Sequence, residues 1–411
     1  MKFFLTTTGT RGDVQPLVAL ALELRTLGHQ CRFCVPPNFT QWIQEYGFEN
    51  IPIGIDIEQS TRTAAQKKID PLPPDQLKQV MNSTISYQFS ALLNAARGCD
   101  VIVGGGIIQI PTRSVAEILR IPCIFSMYCP VVYPSTQHSP PPMSVERRLD
   151  LAALPAWDHE SLWINEEQYW NDLYRDVLNQ ERAKFSLAPL QNVMRHALEG
   201  QSLLAADATI TPMVSTIMYD IQAVQTGVWM LRETNELPDN VERFLAEGEA
   251  PIYFGCGSMV VKENEVRTFV ETARSLGRRA VVHKGWSDIQ PIDDGRDCLF
   301  VGTISHEKLF PRMTAIVHHG GAGTTMAAVR SGVRQVIVPH AYDQFYLAQR
   351  IQQLGVGVAG PNDQDVTTAA LTISLQECLK PEITERARMM AGRIQLNGAT
   401  IAANWLAENY G

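Results

Sequence analysis

The chain has 411 residues, 45% hydrophobic and 19% charged, with a formal net charge of −8. That length is too great for one ordinary core and fits two domains of about 200 residues each. The acidic balance argues against nucleic acid, whose phosphates need a basic footprint, and no apolar run approaches the ~20 residues of a membrane span.

In chain order, Met1-Lys2-Phe3-Phe4-Leu5 is apolar too briefly for a signal-peptide core. Residues 3–6 read as a strand running into Gly9-Thr10-Arg11-Gly12-Asp13. Val14, Leu17, Val18, Ala21 and Leu24 then follow helical spacing, Gly28 stops the helix, and residues 32–35 start the next strand. Strand, glycine turn, helix, strand is the unit of a parallel sheet. The eight cysteines are scattered, and the lone Cys31-x-x-Cys34 falls inside that second strand. Buried thiols in a reducing cytoplasm are therefore expected.

The unit repeats at residues 100–103, with Gly104-Gly105-Gly106 and a strand over 121–126. Residues 127–200 interrupt it with Pro130, Pro134 and Pro140-Pro141-Pro142, then Trp157, Trp163, Tyr169 and Trp170. This insertion reads either as a small apolar cluster of its own or as an acceptor-binding wall, since aromatic faces recognise hydrophobic or sugar-like surfaces. Tyr128, Trp157 and Trp163 are its candidate acceptor contacts.

Near residue 250 the plan restarts: a strand over 251–254, Gly255-Cys256-Gly257-Ser258, a helix around 266–275, and strands at 280–283, 299–301, 315–317 and 335–338. An α/β protein of two Rossmann-like domains facing across a cleft follows, with ligands at the carboxyl ends of the strands.

Chemistry concentrates in Val317-His318-His319-Gly320-Gly321-Ala322-Gly323-Thr324-Thr325, which follows a strand and opens a helix. The glycines admit close backbone approach, and the helix start offers free N–H groups and a positive dipole end to an anion. His319, Thr324 and Thr325 can donate to phosphate oxygens. The dinucleotide and P-loop glycine signatures are both missing. After the strand at 335–338 comes Pro339-His340-Ala341-Tyr342-Asp343-Gln344, where a carboxylate beside a carboxamide could hold adjacent sugar hydroxyls. Asp343 could equally cap the helix from Gln344, and Asp13 the helix from Val14.

These motifs, with Gly332, Pro339 and Leu354-Gly-Val-Gly357, resemble the donor-binding region of GT-B-fold glycosyltransferases. The likeness is to bacterial glycopeptide and polyketide antibiotic glycosyltransferases and to sterol glucosyltransferases. Gly9-Thr-Arg-Gly12-Asp13-Val-Gln-Pro16, Pro36-Pro37, Gly255–Ser258 and His283-Lys-Gly-Trp286 resemble the same group, in the same order.

The resemblance implies an inverting enzyme that needs no metal or cofactor and takes a UDP- or TDP-sugar as co-substrate. It implies an acceptor domain over 1–215, a donor domain over 216–393, and a last helix over 394–411 that packs back on the first domain. His319 and Gly321, Ala322, Gly323 and Thr324 would hold the diphosphate, with Ser258 opposite. Trp286 and Ile304 would lie near the base, and Asp343 and Gln344 would bind the sugar. Asp13 would be the general base, with Thr10 and Arg11 in its loop.

The expected activity is transfer of a hexose or deoxyhexose to a hydroxyl of a lipophilic natural-product or sterol-like acceptor, in the cytoplasm, with at most peripheral membrane contact. The alternatives are nucleotide-sugar epimerisation and a non-catalytic nucleotide-binding partner. Asp293-Asp294-Gly-Arg-Asp297 reads as an exposed turn, so no metal is expected.

Overall fold

The computed structural model describes residues 1–66, 73–106, 109–141, 158–233, 236–287, 289–293 and 295–411. Its strands form two wholly parallel sheets. The first holds β1 (Lys2–Thr6), β2 (Gln30–Cys34), β3 (Glu49–Asn50), β4 (Val101–Gly105), β5 (Cys123–Met127), β6 (Gly200–Leu204) and β7 (Ile221–Gln225), in the order β3-β2-β1-β4-β5-β6-β7. The second holds β8 (Ile252–Gly255), β9 (Ala280–His283), β10 (Cys298–Val301), β11 (Ala315–His318), β12 (Gln335–Ile337) and β13 (Gly357–Ala359), in the order β10-β9-β8-β11-β12-β13.

Both orders reverse direction once, between β1 and β4 and between β8 and β11. A ligand crevice opens at such a switch point, because the flanking connections leave to opposite sides. All four glycine turns of the sequence sit at these two points. The strands are apolar on both faces (Phe3, Phe4 and Leu5 are fully buried), as a sheet sandwiched between helices requires.

The register of β7 against β6, Ile221↔Gly200 through Gln225↔Leu204, carries the first sheet past the expected boundary at residue 215. Strand β7 is only partly buried and alternates polar residues, so its sequence lacks the apolar run that marks its neighbours. The helix Arg11–Thr26 ends at Leu27, with Gly28 at φ 84°, a left-handed position that glycine takes without penalty.

The final helix, Gly398–Tyr410, buries Ala399, Ala402, Ala403 and Leu406 in the core of the first domain and joins Thr400 Oγ1 to Glu23 Oε2 at 3.0 Å. Other links between the halves are Arg350 Nε donating to the Ile210 carbonyl at 3.0 Å and the Gln395 N–H donating to Asp207 Oδ2 at 2.9 Å. Among the described residues no helix is long and apolar enough to cross a membrane.

Candidate active site

The loop after β1 is fixed by its own carboxylate. Asp13 Oδ2 accepts from the Thr10 N–H at 2.8 Å and from Thr10 Oγ1 at 3.3 Å, a capping box at the start of Arg11–Thr26. The same carboxylate stays partly exposed and meets the glycine turn after β4, where a Cβ on Gly106 would lie 3.9 Å from Oδ1. Burial raises its pKa above the ordinary carboxylate value against the lowering effect of the Thr10 hydrogen bonds. Capping and an open face thus coexist in one side chain.

Across the cleft, Asp343 stands at the start of Gln344–Gln353 but makes no side-chain cap hydrogen bond. Its carboxylate is therefore not consumed by the helix. Burial first, and the charge of Asp13 second, push its pKa up to about 7. Gln344 is used differently: its Oε1 accepts from the His340 N–H at 2.8 Å and the Ala341 N–H at 3.1 Å. Only its amide N–H₂ then remains for a hydroxyl, so this carboxamide can donate but its acceptor is spent on the turn.

The ring of His319 is wedged between two glycines. A Cβ on Gly257 would lie 2.5 Å from its Cε1, and one on Gly321 would lie 2.5 Å from its Nε2. Burial pushes the imidazole down to about 3, so it is neutral, and among the described residues its buried Nδ1 has no partner. Gly321 precedes the helix Ala322–Ser331, whose first-turn N–H groups have no intrahelical acceptor. Thr324 is partly exposed there. Thr325 is fully buried and its hydroxyl donates to the Gly321 carbonyl at 3.0 Å, which removes it from the phosphate donors expected above. His318 is also structural: Nδ1 accepts from Gly320 N–H and Nε2 meets Gln335 Oε1 at 2.8 Å.

Ser258 follows Gly257 (φ 62°) in the turn after β8, partly exposed. The loop after β9 docks on that turn through the Trp286 N–H and the Met259 carbonyl, 3.4 Å apart, and a bridge between Val260 and Gly285. Ile304 packs on the apolar cluster of Leu237, Val241 and Leu309. Arg11 lies 4.6 Å over the Trp42 ring and 3.6 Å from Glu233. Its charge, after burial, helps hold His283 down at about 4, so it faces the second domain.

Within the first domain, residues 3–132 match the glycosyltransferase family 28 N-terminal domain, and residues 281–396 match the C-terminal domain of the erythromycin biosynthesis protein CIII-like family. Over 410 residues, 99% of this chain and 97% of the relative, the chain is 37% identical to the glycosyltransferase GtfE of Amycolatopsis orientalis. It is 36% identical, with the same coverage, to the vancomycin aglycone glucosyltransferase of that organism. The chain belongs to this glycosyltransferase family.

A third relative of this glycosyltransferase, the dTDP-epi-vancosaminyltransferase of the same organism, is 34% identical over 94% of the chain and 92% of its own length. Among solved structures, the glycotransferase of kitacinnamycin matches with a TM-score of 0.72 at 17% identity, over 100% of this chain and 99% of that one. VinC in complex with dTDP matches with a TM-score of 0.64 at 19% identity, over 99% of each chain. The fold of the glycosyltransferase is GT-B.

Two aromatic residues expected at its acceptor wall serve other ends. Trp163 is 2% exposed, donates from Nε1 to the His138 carbonyl at 3.0 Å, and belongs to the first domain's core with Trp170. On the 25-residue helix His159–Ala183 it faces inward, its ring 5.9 Å from that of His138. Tyr128 donates from its hydroxyl to the Asp13 carbonyl at 2.8 Å and sets its ring against Trp229 at 6.4 Å, so its polar end buttresses the Asp13 loop. Trp157 lies outside the described residues.

Asp293 and Asp297 clamp the Arg274 guanidinium, which holds Asp293 down at about 2. Among the described residues no group of three or more His, Cys, Asp or Glu side chains gathers as a metal site. One residue of the site escaped the sequence: Tyr342, between the Gln344-held turn and Asp343, has φ 54°. A positive φ on a non-glycine residue has no sequence signature.

Proposed function

We propose that the enzyme transfers a hexose or deoxyhexose, with inversion, from a TDP- or UDP-linked sugar to a hydroxyl of a lipophilic natural-product or sterol-like acceptor. The observation that carries this is Asp343: it stands at a helix start without capping it, and it feels the charge of Asp13 from the other domain. A sugar held by Asp343 and the Gln344 amide would lie where the charge of Asp13 is felt.

The order of strands along the second sheet gives the donor a straight path. The ends of β9 and β10, with Trp286 and Ile304, would take the base. The turns after β8 and β11, with Ser258, His319 and the first-turn N–H groups of Ala322–Ser331, would take the diphosphate. The end of β12, with Asp343, would take the sugar. The relative named for a dTDP-sugar supports a thymidine diphosphate donor, and the one named for glucosyl transfer supports a hexose.

In the reaction Asp13 accepts the acceptor's O–H proton while that oxygen bonds to the anomeric carbon from the face opposite the leaving group. The bond between that carbon and the diphosphate oxygen breaks. The charge gained by the diphosphate is met by the helix N-terminus and by hydrogen bonds from His319, Ser258 and Thr324. Arg11, held by Glu233 and Trp42, lends positive potential beside the base. No metal or other cofactor is needed for this charge balance. The likeness to relatives that transfer sugars weighs against donor epimerisation and against a role confined to nucleotide binding.

Asp13→Asn tests the reading. Transfer from TDP-glucose to the vancomycin aglycone should fall about a hundred- to ten-thousandfold, as loss of a general base does, while the Kd for TDP stays within about twofold of the wild type. Unchanged turnover would overturn the assignment of the base.

A further inference from the structure

The helix Gln344–Gln353 begins at the candidate sugar carboxylate, and one stripe of it faces the other domain. Counted from Asp343, the residues Tyr346, Leu347 and Arg350 stand three, four and seven positions on, which puts all of them on one helical face. Leu347 is 2% exposed and joins a buried apolar cluster whose other buried members, among the described residues, all belong to the first domain. Arg350 Nε donates to the Ile210 carbonyl at 3.0 Å. Ala348 and Ile351, on the adjoining face, bury with Met326, Val329 and Ile337 of the donor domain. The helix is thus wedged between the halves, and the turn that carries Asp343 and Gln344 docks against the first.

What receives that turn is His138. The segment before it is anchored in the first domain, where Tyr133 is fully buried with its hydroxyl 2.6 Å from Ser202 Oγ. The His138 carbonyl accepts from Trp163 Nε1 at 3.0 Å. The imidazole stands between two rings and meets both edge-to-face: Trp163 at 5.9 Å and 74°, Tyr346 at 6.0 Å and 68°. Its Nδ1 donates to the Ser139 carbonyl at 3.1 Å, and its buried Nε2 has no hydrogen-bond partner among the described residues. Burial lowers its pKa, so the ring is neutral and meets Tyr346 as an aromatic surface and not as a charge.

We propose that His138 and Tyr346 form a clasp between the domains that positions Asp343 for transfer. This role rests on Asp343 being a sugar ligand in a transfer reaction. Tyr346 lies nearly one turn beyond Asp343, about 4.5 Å along a rigid helix axis. Where its ring docks therefore fixes where the carboxylate and the Gln344 amide stand relative to the first domain. The turns after β8 and β11, which would take the diphosphate, lie on other elements. Both rings are positioning residues: they act through the helix start, where a misplacement of about 1 Å costs about a hundredfold in rate.

Tyr346→Ala, His138→Ala and the double variant separate positioning from mere support. In each single variant kcat for transfer from TDP-glucose to the vancomycin aglycone should fall about ten- to a hundredfold, while the Kd for TDP stays within about twofold. The double variant should fall no further than the worse single one, because either substitution opens the same clasp. Tyr346→Phe, which keeps the ring, should keep the wild-type kcat. Amide hydrogen exchange reads the clasp without turnover: it should quicken over residues 344–353 in His138→Ala, a change made in the other domain. Losses that multiply in the double variant, a TDP affinity that falls as far as kcat, or exchange over 344–353 unmoved by His138→Ala would each overturn the inference. A wild type that transfers no glucose would defeat the functional reading, a distinct failure, and the exchange result would still decide the clasp.

Discussion

Asp13 and Asp343 confront each other across the cleft as two carboxylates of unequal acidity. Asp343 titrates at about 7, partly because Asp13 is already charged when it does so. Asp13, for its part, is stabilised as an anion by the Thr10 N–H and hydroxyl. Like charges brought together part their titrations, and the one with hydrogen-bond donors ionises first. Burial raises both carboxylates, and the Thr10 hydrogen bonds oppose that rise at Asp13. In the proposed reaction the less perturbed Asp13 is the base and Asp343 the sugar ligand.

The pair makes a prediction about pH. The folded pKa of Asp343 is raised from about 3.8 to about 7, so its contribution to stability is fully present below about 3.8 and is lost as pH rises through about 7. In Asp343→Asn that loss should vanish, and Tm should fall less between pH 5 and about pH 8 than in the wild type. In Asp13→Asn one of the two raising influences is gone, so the Asp343 titration should move below about 7, though burial keeps it above the ordinary range. Carboxyl carbon NMR with labelled aspartate checks both; an Asp343 titration unmoved in Asp13→Asn would show that the two do not interact.

Gly321→Ala should weaken diphosphate binding through His319. The new Cβ would lie 2.5 Å from Nε2 of a ring that Gly257 confines from the other side, so the imidazole must leave its place. The expected loss is about tenfold in TDP affinity, one to two hydrogen bonds to a charged group, with Tm changed by only a few degrees. Isothermal titration with TDP measures it, and an unchanged affinity would show that the ring does not contribute.

How much of this could be read from residues alone divides along a physical line. The glycine turns and the apolar strands beside them are local signals, and β1, β4, β8, β9, β11 and β12 lie within one or two residues of where alternation and breakers put them. Strands β6 and β7 are no shorter than these but are half-polar, and what makes them strands is pairing with β5 and with one another, which is not local. The site divides in the same way. That Asp343 could cap or bind was open in the sequence, and only the structure shows that its side chain makes no cap hydrogen bond. That Gln344 spends its oxygen on His340 and Ala341, that Tyr128 reaches back to the Asp13 carbonyl, and that Trp163 faces inward are all three-dimensional outcomes of residues whose chemistry was legible.

Trp163→Ala should therefore act on stability and not on acceptor recognition. Removing a buried indole and its hydrogen bond to the His138 carbonyl costs about 3–5 kcal/mol. Denaturant unfolding should show that loss, whereas acceptor KM, measured at a temperature where the variant is still folded, should match the wild type. A raised acceptor KM with an unchanged unfolding midpoint would restore this residue to the acceptor wall.

The junction of the last helix provides a test of how the two halves are held in register. Gly398 sits against the chain that crosses from the first sheet to the second: a Cβ there would lie 2.4 Å from the carbonyl carbon and oxygen of Gly227 and 2.5 Å from the Val228 carbonyl. Those are backbone atoms, next to Trp229 in the first domain's core, so they cannot swing aside as a long side chain would. In Gly398→Ala the helix Gly398–Tyr410 must shift outward, at about 1–3 kcal/mol, and its contact of Thr400 with Glu23 on the helix that carries Asp13 is disturbed. The donor site on the second sheet is untouched. TDP affinity should then stay within about twofold while kcat falls more, because chemistry needs Asp13 placed against the sugar and nucleotide binding does not. Equal losses in both would mean that the helix supports the second domain rather than the alignment of the pair.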